Sequence, residues 1–142
     1  MVDYTDAGGR QYVLREPDPA NPDRPFSMSW LLNRSHGAEH AGIYVADMAP
    51  GATGPPTHVH DFDQFYFVLS GQLNVEVGLQ KHVVAPNTLV VLPAGVPHCQ
   101  GNPSEQPERH LAVLMPEPPS PNSAEQPWDT VVDFAVAERQ LH

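Results

Sequence analysis

Leu73, Val75 and Val77 alternate with Asn74 and Glu76, the period-two pattern of a strand with one buried face. Short runs of the same kind recur along the chain, each bounded by Gly, Pro, Asn or Ser. They predict strands at Gln11–Leu14, Ser27–Leu32, Gly42–Met48, Pro56–His60, Gln64–Ser70, Gln72–Val77, His82–Ala85, Thr88–Leu92, Pro97–Gln100 and Arg109–Met115. Ser70-Gly71-Gln72 reads as a hairpin turn between two of them. About ten short strands with tight connections predict an all-β jelly-roll, a sandwich or barrel. No internal repeat is visible, so one unit is expected rather than two.

Beyond the last strand the pattern changes. Residues 103–108 read as a loop, and residues 116–127, with five prolines, as an extended arm over the surface. The tail Trp128–His142 fits a short helix capped by Asp129 or Thr130, with Val132, Phe134 and Leu141 among its apolar positions. A strand through Thr130–Val136 is the alternative. Such an arm would cover its own barrel or a partner's, and homodimerisation is the expectation. Residues 1–41 then form N-terminal strands and an arm, 42–115 the barrel core, and 116–142 the Pro-rich arm and tail of one domain.

Composition supports this and excludes some partners. A chain of 142 residues is long enough to bury a core as one domain. Its 17 prolines and 10 glycines favour short strands over long helices. A net charge of −10 with only 7 Lys and Arg argues against nucleic acid or an anionic membrane as partner. The opening residues lack a basic region and an apolar core, and no apolar stretch is long enough to span a bilayer. The single Cys99 cannot form an internal disulfide. A cytoplasmic protein is expected.

Two stretches fit together as halves of one metal site. The first is His58-Val59-His60-Asp61-Phe62-Asp63-Gln64, with Gly71 further on; the second is Pro93-Ala94-Gly95-Val96-Pro97-His98, then Asn102. Alternate residues of a strand share a face, so His58 and His60 can present imidazoles together. Gln64 keeps that parity if the extended run is continuous. His98 follows a Pro/Gly turn that would aim it back at the first stretch. Three imidazoles and an amide oxygen suit Zn, Fe, Ni, Cu or Co rather than Mg or Ca.

In order and spacing these stretches resemble the paired motifs of the cupin superfamily, over roughly residues 42 to 115. The first motif begins within Gly51–Gly54 and runs through His58, His60, Gln64 and Gly71. The second covers Pro93, Gly95, His98 and Asn102, with Asn87 where cupins usually open on glycine. The resemblance implies a jelly-roll barrel and one divalent transition metal, zinc preferred, held by His58, His60, His98 and Gln64. Cupins usually carry glutamate at the position of Gln64. A glutamine is neutral and cannot accept a proton, so three imidazoles and an amide would leave a divalent ion nearly its full charge. Gln64 could instead hydrogen-bond a ligand water or a histidine; direct ligation is favoured.

That substitution disfavours quercetinase-like dioxygenation, in which the glutamate is thought to take a proton. It fits Lewis-acid chemistry better: enolisation, aldol-type ring closure, isomerisation or dehydration. The chain resembles small polyketide cyclases of the family in size and in its histidine-rich site. Uronate substrates would call for Arg or Lys near the pocket, and the motif segments contain none. Phe62, Phe65, Tyr66 and Phe67 lie nearby instead, so a polyketide-like or polyphenolic substrate is expected. A dioxygenase and a non-catalytic small-molecule binder are the alternatives. Tyr66, Phe62 and Gln100 are candidate pocket residues, while Phe65, Phe67 and Leu69 share the opposite face. His40 and His110 are candidates for the base, or for a further ligand, that Gln64 cannot be. Asp61 and Asp63 read as solvated or as bonded to a ligand imidazole, and Cys99 as a buried small hydrophobe.

Overall fold

In the computed structural model, residues 2–5, 11–36, 38, 40–118 and 129–132 are described. They form twelve strands: β1 (Val2–Thr5), β2 (Gln11–Leu14), β3 (Phe26–Leu32), β4 (Gly42–Met48), β5 (His58–Val59), β6 (Asp63–Ser70), β7 (Leu73–Val77), β8 (Gln80–Val84), β9 (Leu89–Leu92), β10 (His98–Gly101), β11 (Glu108–Met115) and β12 (Thr130–Val131). One 3₁₀ turn, Arg34–His36, follows β3. The strands lie in two five-stranded antiparallel sheets, ordered β3-β4-β11-β6-β9 and β12-β5-β10-β7-β8, with β1 and β2 paired separately. This is the jelly-roll that the strand pattern predicts.

Period-two alternation sets what each strand buries. On β6, Gln64, Tyr66 and Val68 point inward; on β11, Glu108, His110, Ala112 and Leu114 do so. Tyr44, Ala46 and Met48 of β4, with Leu73, Val75 and Leu92, complete a core whose smallest members are fully enclosed. The apolar half of the barrel interior and its polar half are thus written on alternate residues of the same strands.

The structure departs from the predicted elements in three places. The expected strand Pro56–His60 shrinks to His58–Val59, because the chain bends at Asp61 and Phe62 before β6 starts. The extended run through Gln64 is therefore broken, yet β6 restores an inward direction for Gln64. The described part of the tail forms β12, antiparallel to β5 with Thr130 opposite Val59 and Val131 opposite His58. It lies on its own barrel, as a strand rather than a helix; residues 119–128 and 133–142 lie outside the described set. β1 was not among the predicted strands, and it pairs with β2 through Val2 opposite Leu14.

Two motif residues have backbone reasons. Gly71 has φ +74°, and a Cβ there would lie 2.2 Å from the Pro107 carbonyl oxygen. Asn87, standing where cupins open on glycine, takes a left-handed φ of 63°, which asparagine tolerates better than most side chains. Asn102 donates its amide to the carbonyls of Met48 and Gln106 at 3.1 and 2.7 Å, tying three loops together.

Gly71→Ala is expected to cost about 3 kcal/mol or more, combining left-handed strain with backbone overlap. Gly78→Ala, at φ +62° with nothing within 4 Å of its Cβ, should cost only about 1 kcal/mol. Urea unfolding of the two variants checks the difference.

Candidate metal centre

Each of the three motif histidines is oriented by its own backbone neighbourhood. The Nδ1–H of His58 donates to the Pro56 carbonyl at 2.8 Å, that of His60 to Phe62 at 2.9 Å, and that of His98 to Val96 at 3.0 Å. Using Nδ1 in this way turns each Nε2 toward the cluster. The three rings, all buried, then face one another, with ligand atoms within 4.8 Å. Ring centroids lie 4.4 Å apart for His58 and His98 and 4.8 Å for His60 and His98.

The segments that carry them are clamped together. The Gly95 N–H donates to the His60 carbonyl at 2.8 Å, and the Ala94 N–H to Asp63 Oδ1 at 2.9 Å. Asp63 is exposed and holds the turn before His98, which agrees with the solvated alternative of its sequence reading rather than with a bond to an imidazole. Gly95 has φ +81°, the conformation that lets the turn fold back. His98 and His58 are then direct cross-strand partners on β10 and β5.

Gln64 completes the cluster. Its amide nitrogen donates to the Tyr44 hydroxyl at 3.2 Å, and its Oε1 lies 3.0 Å from His60 Nε2. The oxygen is thus turned toward the histidines. Burial pushes the Tyr44 hydroxyl far above its usual range, so it remains a protonated partner for the amide.

The donor set fits a divalent transition metal. His98 Nε2 is buried with no hydrogen-bond partner, a costly arrangement that a bound cation would relieve. Burial lowers the His60 pKa and pulls that of His98 down to about 4, so both imidazoles are neutral and able to ligate near pH 7.

Beside the cluster lies a cavity of about 470 Å³. His58, Gln64, Tyr66 and Gln100 line it on the inner side, and Trp30, Tyr44 and Leu114 give it an aromatic and apolar wall. Tyr66 and Gln100 thus lie where the sequence places them. Phe62 does not: it stacks on His60 at 4.0 Å and 4° and lines an outer groove instead.

The two candidate bases are placed elsewhere. His40 is exposed in the bend before β4 and is not among the residues lining the cavity. His110 is fully buried, its Nδ1 2.9 Å from both oxygens of Glu108, and its ring packs on Tyr66 with centroids 4.8 Å apart. Tyr66 lines the cavity, and His40 and His110 are not among the residues lining it. Cys99 is half-buried on the outer face near Glu76, not a core residue.

Long-range folding supplies charged residues that local spacing does not reveal. Asp129, immediately before the strand β12 that pairs with β5, lines the cavity together with His58. Arg34 and Glu117 line it too, from the 3₁₀ turn and the segment after β11. The motif segments contain no Arg or Lys, but Arg34, well outside both, lines the cavity and removes the ground given against uronate substrates.

Comparison with known proteins agrees with this architecture. The model of the Cupin domain family matches residues 44–114. An uncharacterized protein of Streptomyces coelicolor is 37% identical over 75 residues, which are 53% of this chain and 68% of that protein. Among solved structures, TT1209 of Thermus thermophilus is similar at a TM-score of 0.62 and 28% identity, over 71% of this chain and 91% of that one. The polyketide cyclase RemF of Streptomyces resistomycificus has a TM-score of 0.61 at 23% identity, over 68% of this chain and 69% of that one. The last likeness is one of fold.

The lowered histidine pKa values have a consequence for the metal-free protein. Between about 4 and the usual 6.5 the folded His98 binds fewer protons than the unfolded chain, so folding stability falls as pH drops through that window. The Tm of metal-free protein should decline from pH 6.5 toward 4, and His98→Asn should flatten the decline. A Tm profile equally steep in both proteins contradicts this.

Proposed function

The chain belongs to the cupin family, and on that footing we propose that it is a metal-dependent enzyme for ring closure of a polyketide-like or polyphenolic substrate. His58, His60, His98 and Gln64 hold a divalent transition metal, preferably zinc. The observation that carries this reading is the Gln64 amide, anchored by Tyr44 with its oxygen turned to His60. The ligand set is then wholly neutral, which maximises the charge a divalent ion retains. Bound there, such an ion acts as a Lewis acid on a carbonyl or enol oxygen.

The remaining steps fall to the chain's own residues. Asp129 lines the cavity and is the carboxylate we assign as proton acceptor, in place of His40 and His110. It takes an α-proton, the carbanionic carbon attacks a second carbonyl to form one carbon–carbon bond, and the proton passes to the oxygen that becomes hydroxyl. Loss of that hydroxyl with a further α-proton releases water and leaves the conjugated ring. Trp30, Tyr44 and Leu114 hold the folded substrate against an apolar wall, which favours closure over hydrolysis and brings the reacting carbons together. RemF, a polyketide cyclase similar in fold, supports this reading.

Elemental analysis of anaerobically purified protein should find one zinc per chain, with no oxygen uptake when polyphenols are added. Iron, nickel or copper with substrate-dependent uptake overturns the cyclase reading in favour of an oxygenase. His98→Ala is expected to lose the metal while keeping its β-sheet circular dichroism. Asp129→Asn should retain the metal and lose on the order of 10²-fold in kcat.

A further inference from the structure

Arg34 stands where the cavity meets the outer groove, and it lines both. Its contacts with Glu117 divide in an informative way. The Glu117 carboxylate accepts the backbone N–H of Arg34 at 2.8 Å, while the guanidinium Nη2 donates to the Glu117 backbone carbonyl at 2.9 Å. The guanidinium Nε lies 3.9 Å from the carboxylate, an ion-pair distance and not a hydrogen bond. The other guanidinium N–H groups have no protein hydrogen bond among the described residues. The Arg34 side chain is 50% exposed and that of Glu117 only 14%, so the acid is the anchored partner and the fork faces the opening.

The anchor is seated from below. A Cβ on Gly42 would lie 3.1 Å from Glu117 Cγ and 3.1 Å from Trp30 Cζ3, so both side chains rest on bare backbone. Trp30 in turn packs on Tyr44, with centroids 5.0 Å apart, and Tyr44 holds the Gln64 amide. A connected row of side chains therefore runs from the histidine cluster to the guanidinium along one cavity wall.

We propose that Arg34 receives a carboxylate of the substrate, making it the second anchor opposite the histidines. The substrate class is then an aromatic or polyketide-type acid, with oxygen donors at the metal end and a carboxylate at the rim. This rests on the metal-site reading given above. A planar guanidinium with two adjacent donors free matches a carboxylate in a paired geometry that a lysine cannot reproduce. Glu117 and Asp129 oppose an anion in the cavity, but Arg34 and a divalent cation outweigh them. Position does the rest: Arg34 selects for acids that also reach the histidines.

The test titrates zinc- and cobalt-loaded protein, without oxygen, with catechol, 2,3-dihydroxybenzoate and 3,4-dihydroxybenzoate. Calorimetry gives the dissociation constants, and the visible bands of cobalt report ligation. One carboxylated ligand should bind about tenfold tighter than catechol to the wild-type protein. In Arg34→Gln that preference should fall below about threefold, with catechol affinity and Tm unchanged; Arg34→Lys should keep an intermediate preference. A wild-type preference under about threefold, with cobalt bands that still shift, overturns the carboxylate anchor and leaves the metal site standing. A preference that survives Arg34→Gln does the same. Cobalt bands unmoved by all three ligands would defeat the metal-site reading and the anchor together.

Discussion

Three Nδ1–H groups, each held by a carbonyl two residues away in sequence, determine what the interior of this barrel must be. Once Nδ1 is engaged, the imidazole is a neutral acceptor with its Nε2 pointing away from its own backbone. Three such nitrogens converge within 4.8 Å of one another, and acceptors cannot satisfy one another. His98 Nε2 is left buried with no partner. Such an arrangement is costly in an apolar medium unless something electron-poor sits at its centre. The unpartnered His98 Nε2 therefore supports the metal reading independently of family membership.

The rest of the fold can be understood as support for that convergence. Gly95 and Asp63 clamp the turn before His98 onto the segment of His60. Gly71 lets the β6–β7 hairpin pass against Pro107 without a side chain in the way. Tyr44 orients the amide of Gln64, and Phe62 stacks flat on His60. The contacts of Tyr44 and Phe62 each remove a freedom from a candidate ligand side chain, so the cluster is preorganised by ordinary packing.

How much of this was legible in the sequence depends on the range of the interaction. Strand positions followed from alternation, since β6 and β11 bury every second residue. The ligand histidines followed from spacing within two short segments that fold locally. Failures cluster where a residue's role is set from far along the chain. Asp129 reads as a helix cap in isolation, and becomes a cavity residue only because β12 pairs with β5. Arg34 has no motif around it; its place depends on Glu117, 83 residues later. His110 has the right parity to face inward and does so, but Tyr66 occupies the space between it and the cavity. Parity gives direction without depth, and that is why it could not exclude His110 as a base.

The neutral residue at position 64 and the charged rim belong to one electrostatic argument. A glutamate in place of Gln64 would put a negative charge beside the metal and serve as a base from within the ligand set. On the proposed function, proton transfer with glutamine there falls to a group outside that set, and a bound divalent ion would keep charge available to attract an anion. The folded chain supplies both elements at the cavity: Asp129 by way of a returning strand, and Arg34 by way of a 3₁₀ turn held by Glu117. Under the proposed function, separating the ligand from the base in this way would let a bound metal keep its charge while the base keeps its proton affinity. A site built around a ligand glutamate makes those two demands on one side chain.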